Sequence, residues 1–161
     1  MGRFVAQPQG PPKTVLDSEG QPFAELDYRT ADHAEVVLKG GFRIRVTLAH
    51  FAPGGSGALR LAMKSDEVFL EKTVTTIDGI DLGEVAAVAR APDGTVEALV
   101  AVRADNGEAL AVAPAMVREV ATHIILEPSE EEVRQAQGAT SKHAAVAQAL
   151  ARVRKGAPRH R

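Results

Sequence analysis

From Lys13 the hydrophobic pattern is one of short extended runs separated by turn signals, and in the clearest of them apolar and polar residues alternate with a period of two. Phe42, Ile44, Val46 and Leu48 alternate with Arg43, Arg45 and Thr47, the pattern of a half-buried strand. Glu35-Val36-Val37-Leu38-Lys39 precedes it, and the intervening Gly40-Gly41 is a two-residue hairpin signal. Upstream, residues 14–16 end at Ser18-Glu19-Gly20, and residues 23–27 alternate loosely up to Thr30-Ala31-Asp32. A glycine-rich loop at Pro53-Gly54-Gly55-Ser56-Gly57 leads to a short strand through Leu59 and Leu61. The same order then recurs. Residues 73–77 are extended, Asp78-Gly79 turns, and Leu82, Val85 and Val88 run to the turn Pro92-Asp93-Gly94. Residues 96–102 form a strand, Asp105-Asn106-Gly107 a hairpin, and Leu110 and Val112 a strand that ends at Pro114; residues 121–126 close the set.

Overlaying the halves sets Gly20 on Gly79, Phe23 on Leu82, Glu25 on Glu84 and Leu26 on Val85. Ile44 and Val46 fall on Leu110 and Val112, and Phe51 on Val117. Ser65-Asp66-Glu67-Val68 and Ser129-Glu130-Glu131-Glu132-Val133 end the two halves alike, as in a diverged duplication. Residues 13–63 and 73–127 are therefore expected to form superposable, mostly antiparallel units.

The period changes after residue 128. Ser129 with Glu132 forms a capping box, so a short helix is expected to about Gln137, stopped by Gly138. Thr140 or Ser141 would cap a second helix over residues 142–154, with Val146, Leu150 and Val153 on one stripe and Gly156 and Pro158 ending it.

The second half resembles a PRC-barrel domain, the small β-barrel named after the H subunit of the photosynthetic reaction centre. The resemblance rests on Ile77-Asp78-Gly79-Ile80-Asp81-Leu82-Gly83-Glu84-Val85, on Pro92-Asp93-Gly94, on the strand 96–102, and on Leu110-Ala111-Val112-Ala113-Pro114-Ala115-Met116-Val117. It covers residues 72–127. The first half departs from the pattern, with Ala24 in place of Gly83 and Leu48 in place of Pro114. Gly83 suits a bend in a tightly curved strand, and Pro114 a strand end. The expected fold is mainly β: a disordered arm over residues 1–12, a first PRC-like barrel over 13–71, a PRC-barrel domain over 72–127 and a helical basic tail over 128–161.

Composition narrows the function. The chain has 161 residues, 45% hydrophobic, an ordinary globular balance. With no cysteine, disulfides, thiol nucleophiles and thiolate metal sites are excluded, which fits a reducing cytoplasm. No apolar run is long enough to span a membrane, and Gly10, Pro11 and Pro12 interrupt any leader. Five Phe, one Tyr and no Trp argue against a base-stacking platform for single-stranded nucleic acid.

Charge is uneven. Residues 1–132 carry 12 basic and 21 acidic side chains, a balance of −9, whereas residues 133–161 carry +7 with no acid. His33, His50, His123, His143 and His160 have no metal-ligand spacing and read as surface or strand-end residues. No nucleophile motif surrounds any serine, and Gly54-Gly55-Ser56-Gly57 lacks the lysine of a phosphate loop.

The expectation is thus a non-enzymatic protein without a cofactor or metal. The resemblance implies docking to a larger assembly, since PRC-like barrels serve that end in the reaction-centre subunit and in a ribosome maturation factor. The expected partner surface is the tail: Lys142, Arg152, Arg154, Lys155, Arg159 and Arg161, with Val146, Leu150 and Val153 facing the barrels or another copy. A protein partner or a second copy is the first reading. Contact with RNA or a ribosome through the basic tail is the alternative, and a small-ligand barrel the third.

Overall fold

The computed structural model describes residues 14–52 and 59–156, with side chains as far as Arg154. The expected arm, the glycine-rich loop, the Lys155 side chain, Arg159 and Arg161 lie outside the described residues.

The chain is mainly β with a short helical region at its C-terminal end. Four strands open it: β1 (Thr14–Leu16), β2 (Pro22–Arg29), β3 (His33–Leu38) and β4 (Phe42–Thr47), each antiparallel to the next. A 3₁₀ turn (Leu48–His50) and a second one (Ser65–Val68) follow. Four more strands come next: β5 (Thr73–Thr75), β6 (Asp81–Arg90), β7 (Val96–Val102) and β8 (Ala109–Val112). A 3₁₀ turn opened by Pro114 leads to β9 (Val117–Val120) and β10 (His123–Leu126). Where a barrel pair was expected, the ten strands form one sheet in the order β1-β2-β3-β4-β9-β10-β5-β6-β7-β8, and this sheet is not closed. β4 and β9 run parallel, with Arg45 opposite Glu119, and β10 runs parallel to β5. The two halves therefore share a ladder.

Turn chemistry agrees with the sequence. Gly40 and Gly41 both have positive φ between β3 and β4, but Leu38 pairs with Phe42, so the loop holds three residues, with Lys39, and not the two expected; Gly94 and Gly107 also have positive φ, in longer turns. Gly83 is the tightest case. Its φ is +106°, and a Cβ there would come within 2.2 Å of the Val102 carbonyl oxygen on β7. Only glycine fits where β6 approaches β7 so closely.

One apolar cluster runs through both halves, from Val15 and Phe23 through Val36, Ile44, Leu82 and Leu99 to Ile124, Leu126 and Val133. Phe23 and Phe69 meet within it, their ring centroids 6.2 Å apart. Asp17 is the main polar group inside. Its carboxylate accepts the N–H groups of Glu19, Gln21 and Ser65 and the Ser65 hydroxyl, each at 2.9 Å. It ties the β1–β2 turn to the second 3₁₀ turn.

Three helices finish the chain: α1 (Glu130–Gln135), α2 (Gln137–Thr140) and α3 (Ala144–Gly156). The Ser129–Glu132 capping box is present. Two expectations fail. Gly138 sits inside α2 instead of ending a helix, because Ala136 keeps a helical backbone (φ −85°, ψ −5°) and the turn continues. Neither Thr140 nor Ser141 caps the last helix. The Thr140 hydroxyl donates back to the Ala136 carbonyl, and the His143 carbonyl accepts the first N–H groups of α3, from Val146 and Ala147.

Candidate partner-binding surface

Helix α3 is amphipathic in the way its sequence spacing predicts. Val146, Ala149 and Leu150 are buried, with Val153 half-buried beside them. They pack on Ala89 of β6, Ala98 and Val100 of β7, and Ala109 and Ala111 of β8. Of the two expected destinations for this stripe, the sheet is the one observed. The small side chains of the sheet let the helix lie close, and the apolar face of α3 is spent inside its own chain.

Its polar face remains outside. Arg152 and Arg154 on this face, and Lys142 in the turn before α3, are exposed, and among the described residues none of them forms an ion pair. Arg134 behaves differently, although it belongs to the same basic stretch of sequence. Its guanidinium meets Glu108 at 2.9 Å and Glu130 at 3.0 Å, and these carboxylates push its pKa up. Arg103 approaches Glu130 at 3.8 Å. Arg134 therefore joins α1 to the β7–β8 hairpin, and the unpaired positive charge starts at Lys142. At the start of α3, His143 Nδ1 lies 3.3 Å from a carboxylate oxygen of Glu97 on β7.

A groove of about 620 Å³ runs between β8, α2 and α3. Ala109, Leu110 and Leu150 contribute apolar lining, and Arg134, Gln137 and Arg154 contribute polar groups. Gln137 was not singled out from sequence, since a glutamine in a helix carries no signal of its own. Its amide donates to the Ala111 carbonyl at 2.7 Å and accepts the Ala111 N–H at 2.8 Å. It thereby covers one residue of the outer edge of β8, the last strand of the ladder.

A second hollow, of about 780 Å³, lies between the first half and the β6–β7 turn. Phe23, Leu26, Val37 and Val96 line it. Lys39 Nζ donates across it to the Asp93 carbonyl at 2.7 Å, and Arg90 donates to the Gly94 carbonyl at 2.7 Å while pairing with Asp66 at 2.6 Å. These basic groups hold the turn and are occupied in doing so.

The titratable groups inside the fold serve structure. Burial pushes the Asp17 carboxyl up, but the N–H groups of Gln21, Ser65 and Glu19 and the Ser65 hydroxyl outweigh it and hold the pKa at about 2. His50 is buried in the first 3₁₀ turn, directly after β4, so of the surface and strand-end readings it takes the second. Burial lowers its pKa against the opposing hydrogen bond to Thr47, and the Lys72 charge lowers it further. The Lys72 pKa is itself lowered by burial, and its ammonium donates to the Val68 carbonyl at 2.7 Å. Among the described residues no three His, Asp or Glu side chains gather as a metal site would need, and no helix is long and apolar enough to cross a membrane.

No family model matches the chain, and no curated protein matches it.

Proposed function

We propose that this chain is a non-enzymatic cytoplasmic adaptor, a tandem of two PRC-like units that docks onto a protein assembly through the cationic end of its C-terminal helix. The observation that carries the docking role is α3 itself. Its apolar stripe is already buried, so Arg152 and Arg154 stand exposed on a helix packed against the sheet, with Lys142 in the turn that precedes it. Cations fixed in this way make a binding surface at lower entropic cost than a loose tail would.

Matching contacts support the tandem reading. Leu16 bridges Arg60 in parallel in the first half, as Thr75 pairs with Ile125 in the second. Phe51 bridges Leu61, as Val117 pairs with Leu126. The Ser18 N–H donates to the Met63 carbonyl, as the Ile77 N–H donates to that of Pro128. The Ala62 N–H donates to the His50 carbonyl, as the Glu127 N–H donates to that of Met116. Each unit would then be a four-strand meander, a 3₁₀ turn and a short hairpin that returns alongside its first strand. In PRC-like barrels such a unit docks to larger assemblies.

The reading is tested by affinity capture from the native cell, comparing the full chain with a chain ending at Ala151. A partner protein retained by the full chain and lost from the truncated one, most sharply at low salt where charge acts furthest, is the expected result. Equal capture by both chains refutes a docking role for the cationic end.

A further inference from the structure

We propose that the groove between β8 and α3 binds an extended, acidic segment of a partner protein, which adds to the outer edge of β8 and sets a carboxylate against Arg154. This rests on the adaptor reading and assigns it a site.

β8 is the last strand of the sheet, and both polar groups of the Ala111 backbone turn away from β7 to meet the Gln137 amide. In an antiparallel ladder this orientation alternates, so the Ala109 N–H and C=O point to the same outer edge. Ala109 and Gln137 both line the groove. A carboxamide that donates and accepts beside Ala111 does what one peptide unit of a neighbouring strand would do. Of the two β8 residues whose backbone groups face outward, Gln137 covers Ala111, and Ala109, itself largely buried, remains to meet a strand.

The first half offers an internal comparison. Its fourth strand, β4, accepts β9 in parallel along its outer edge, with Arg45 opposite Glu119. In the residue overlay Arg45 falls on Ala111, the residue held by Gln137. The position that β4 uses to take up a strand is thus the one that Gln137 occupies on β8, and Ala109, two residues before it, is the outward-facing residue that lines the groove.

Charge selects the occupant. Arg154 lines the groove and forms no ion pair among the described residues, whereas Arg134, which also lines it, is already paired with Glu108 and Glu130. Glu108, the acid on the same rim, is bound to Arg134, which holds its pKa down. Ala147 and Ala151 keep the helical wall low, leaving room for side chains that alternate along a strand.

A random dodecapeptide display library panned against the full chain tests this. The expected peptides alternate apolar residues with Asp or Glu, shift the amide resonances of residues 107–111 and 147–154, and bind Arg154→Glu at least tenfold more weakly. Ala109→Pro, which removes an outward N–H and leaves the β7 ladder intact, should also lose binding. Arg154→Glu lies on an exposed helix position and keeps the test valid if the proline variant fails to fold. Arg118→Glu, on another strand, should bind as the parent does. The proposal is overturned if no peptide is enriched, if those enriched are basic, or if they bind Arg154→Glu undiminished. It is also overturned if the β8 edge proves to be filled by a second copy, seen as a dimer with protected residues 107–111. If cellular capture of a partner survives Arg154→Glu but not truncation at Ala151, the groove fails and the adaptor stands.

Discussion

Replacing Gly83 by alanine should separate two costs that glycine avoids in this sheet. Gly83 has φ +106°, and Gly79, one turn earlier, has φ +83°. A Cβ on Gly79 meets nothing within 4 Å, so Gly79→Ala carries only the strain of a left-handed backbone, about 1–2 kcal/mol. A Cβ on Gly83 would lie 2.2 Å from the Val102 carbonyl oxygen and 2.3 Å from its carbon. Both are backbone atoms of β7, so no side chain can rotate away, and β6 must shift against β7. Such overpacking adds about 1–3 kcal/mol to the strain. Gly83→Ala should therefore cost about 2–5 kcal/mol, a large part of a typical folding stability of roughly 5–15 kcal/mol. Urea denaturation of both variants, read at equal slope, gives the comparison. Equal midpoints for the two would refute the close β6–β7 approach as the reason for glycine at residue 83.

Three further outcomes follow from single contacts. The Asp17 pKa in the folded chain lies below its unfolded value, so the stability it contributes is complete above about pH 4 and is lost as pH falls toward 2. Asp17→Asn should be destabilised by about 2–3 kcal/mol at neutral pH and converge on the parent only below pH 2, as chemical denaturation at each pH will show. Glu71 is the one non-glycine residue with positive φ among the described residues, at 68°, and is exposed; Glu71→Gly should raise stability by about 1 kcal/mol, and a lower melting temperature would contradict the strain argument. Ser129→Ala removes the hydroxyl that accepts the Glu132 N–H and should cost about 1 kcal/mol in urea denaturation.

The strands of each meander were legible because alternation and turn residues act locally. Ile44 and Val46 face the core as their spacing predicts, and Gly40-Gly41 turns where two glycines permit it. The stripe of Val146, Leu150 and Val153 was legible for the same reason. The short run Val117–Val120 of β9 shows no alternation of its own, and its pairing with β4 spans more than seventy residues, a register that no local pattern encodes. Residues 137–140 resisted reading because glycine ends a helix only where the backbone turns left-handed, and at Gly138 it does not. Of the candidate surface, the positions of the cations could be read from sequence. That Arg134 is neutralised by Glu108, and that Gln137 covers the β8 edge, depend on side chains brought together by the fold.

Affinity purification of the full chain from its native cell, before and after nuclease treatment, bears most directly on the docking role. A single protein partner should remain after nuclease and be released by salt, since exposed cations such as Arg152 and Arg154 are screened within about 10 Å at 0.1 M. Loss of all bound protein on nuclease treatment, with nucleic acid as the retained component, would contradict the protein-docking account and leave the cationic helix as a phosphate contact.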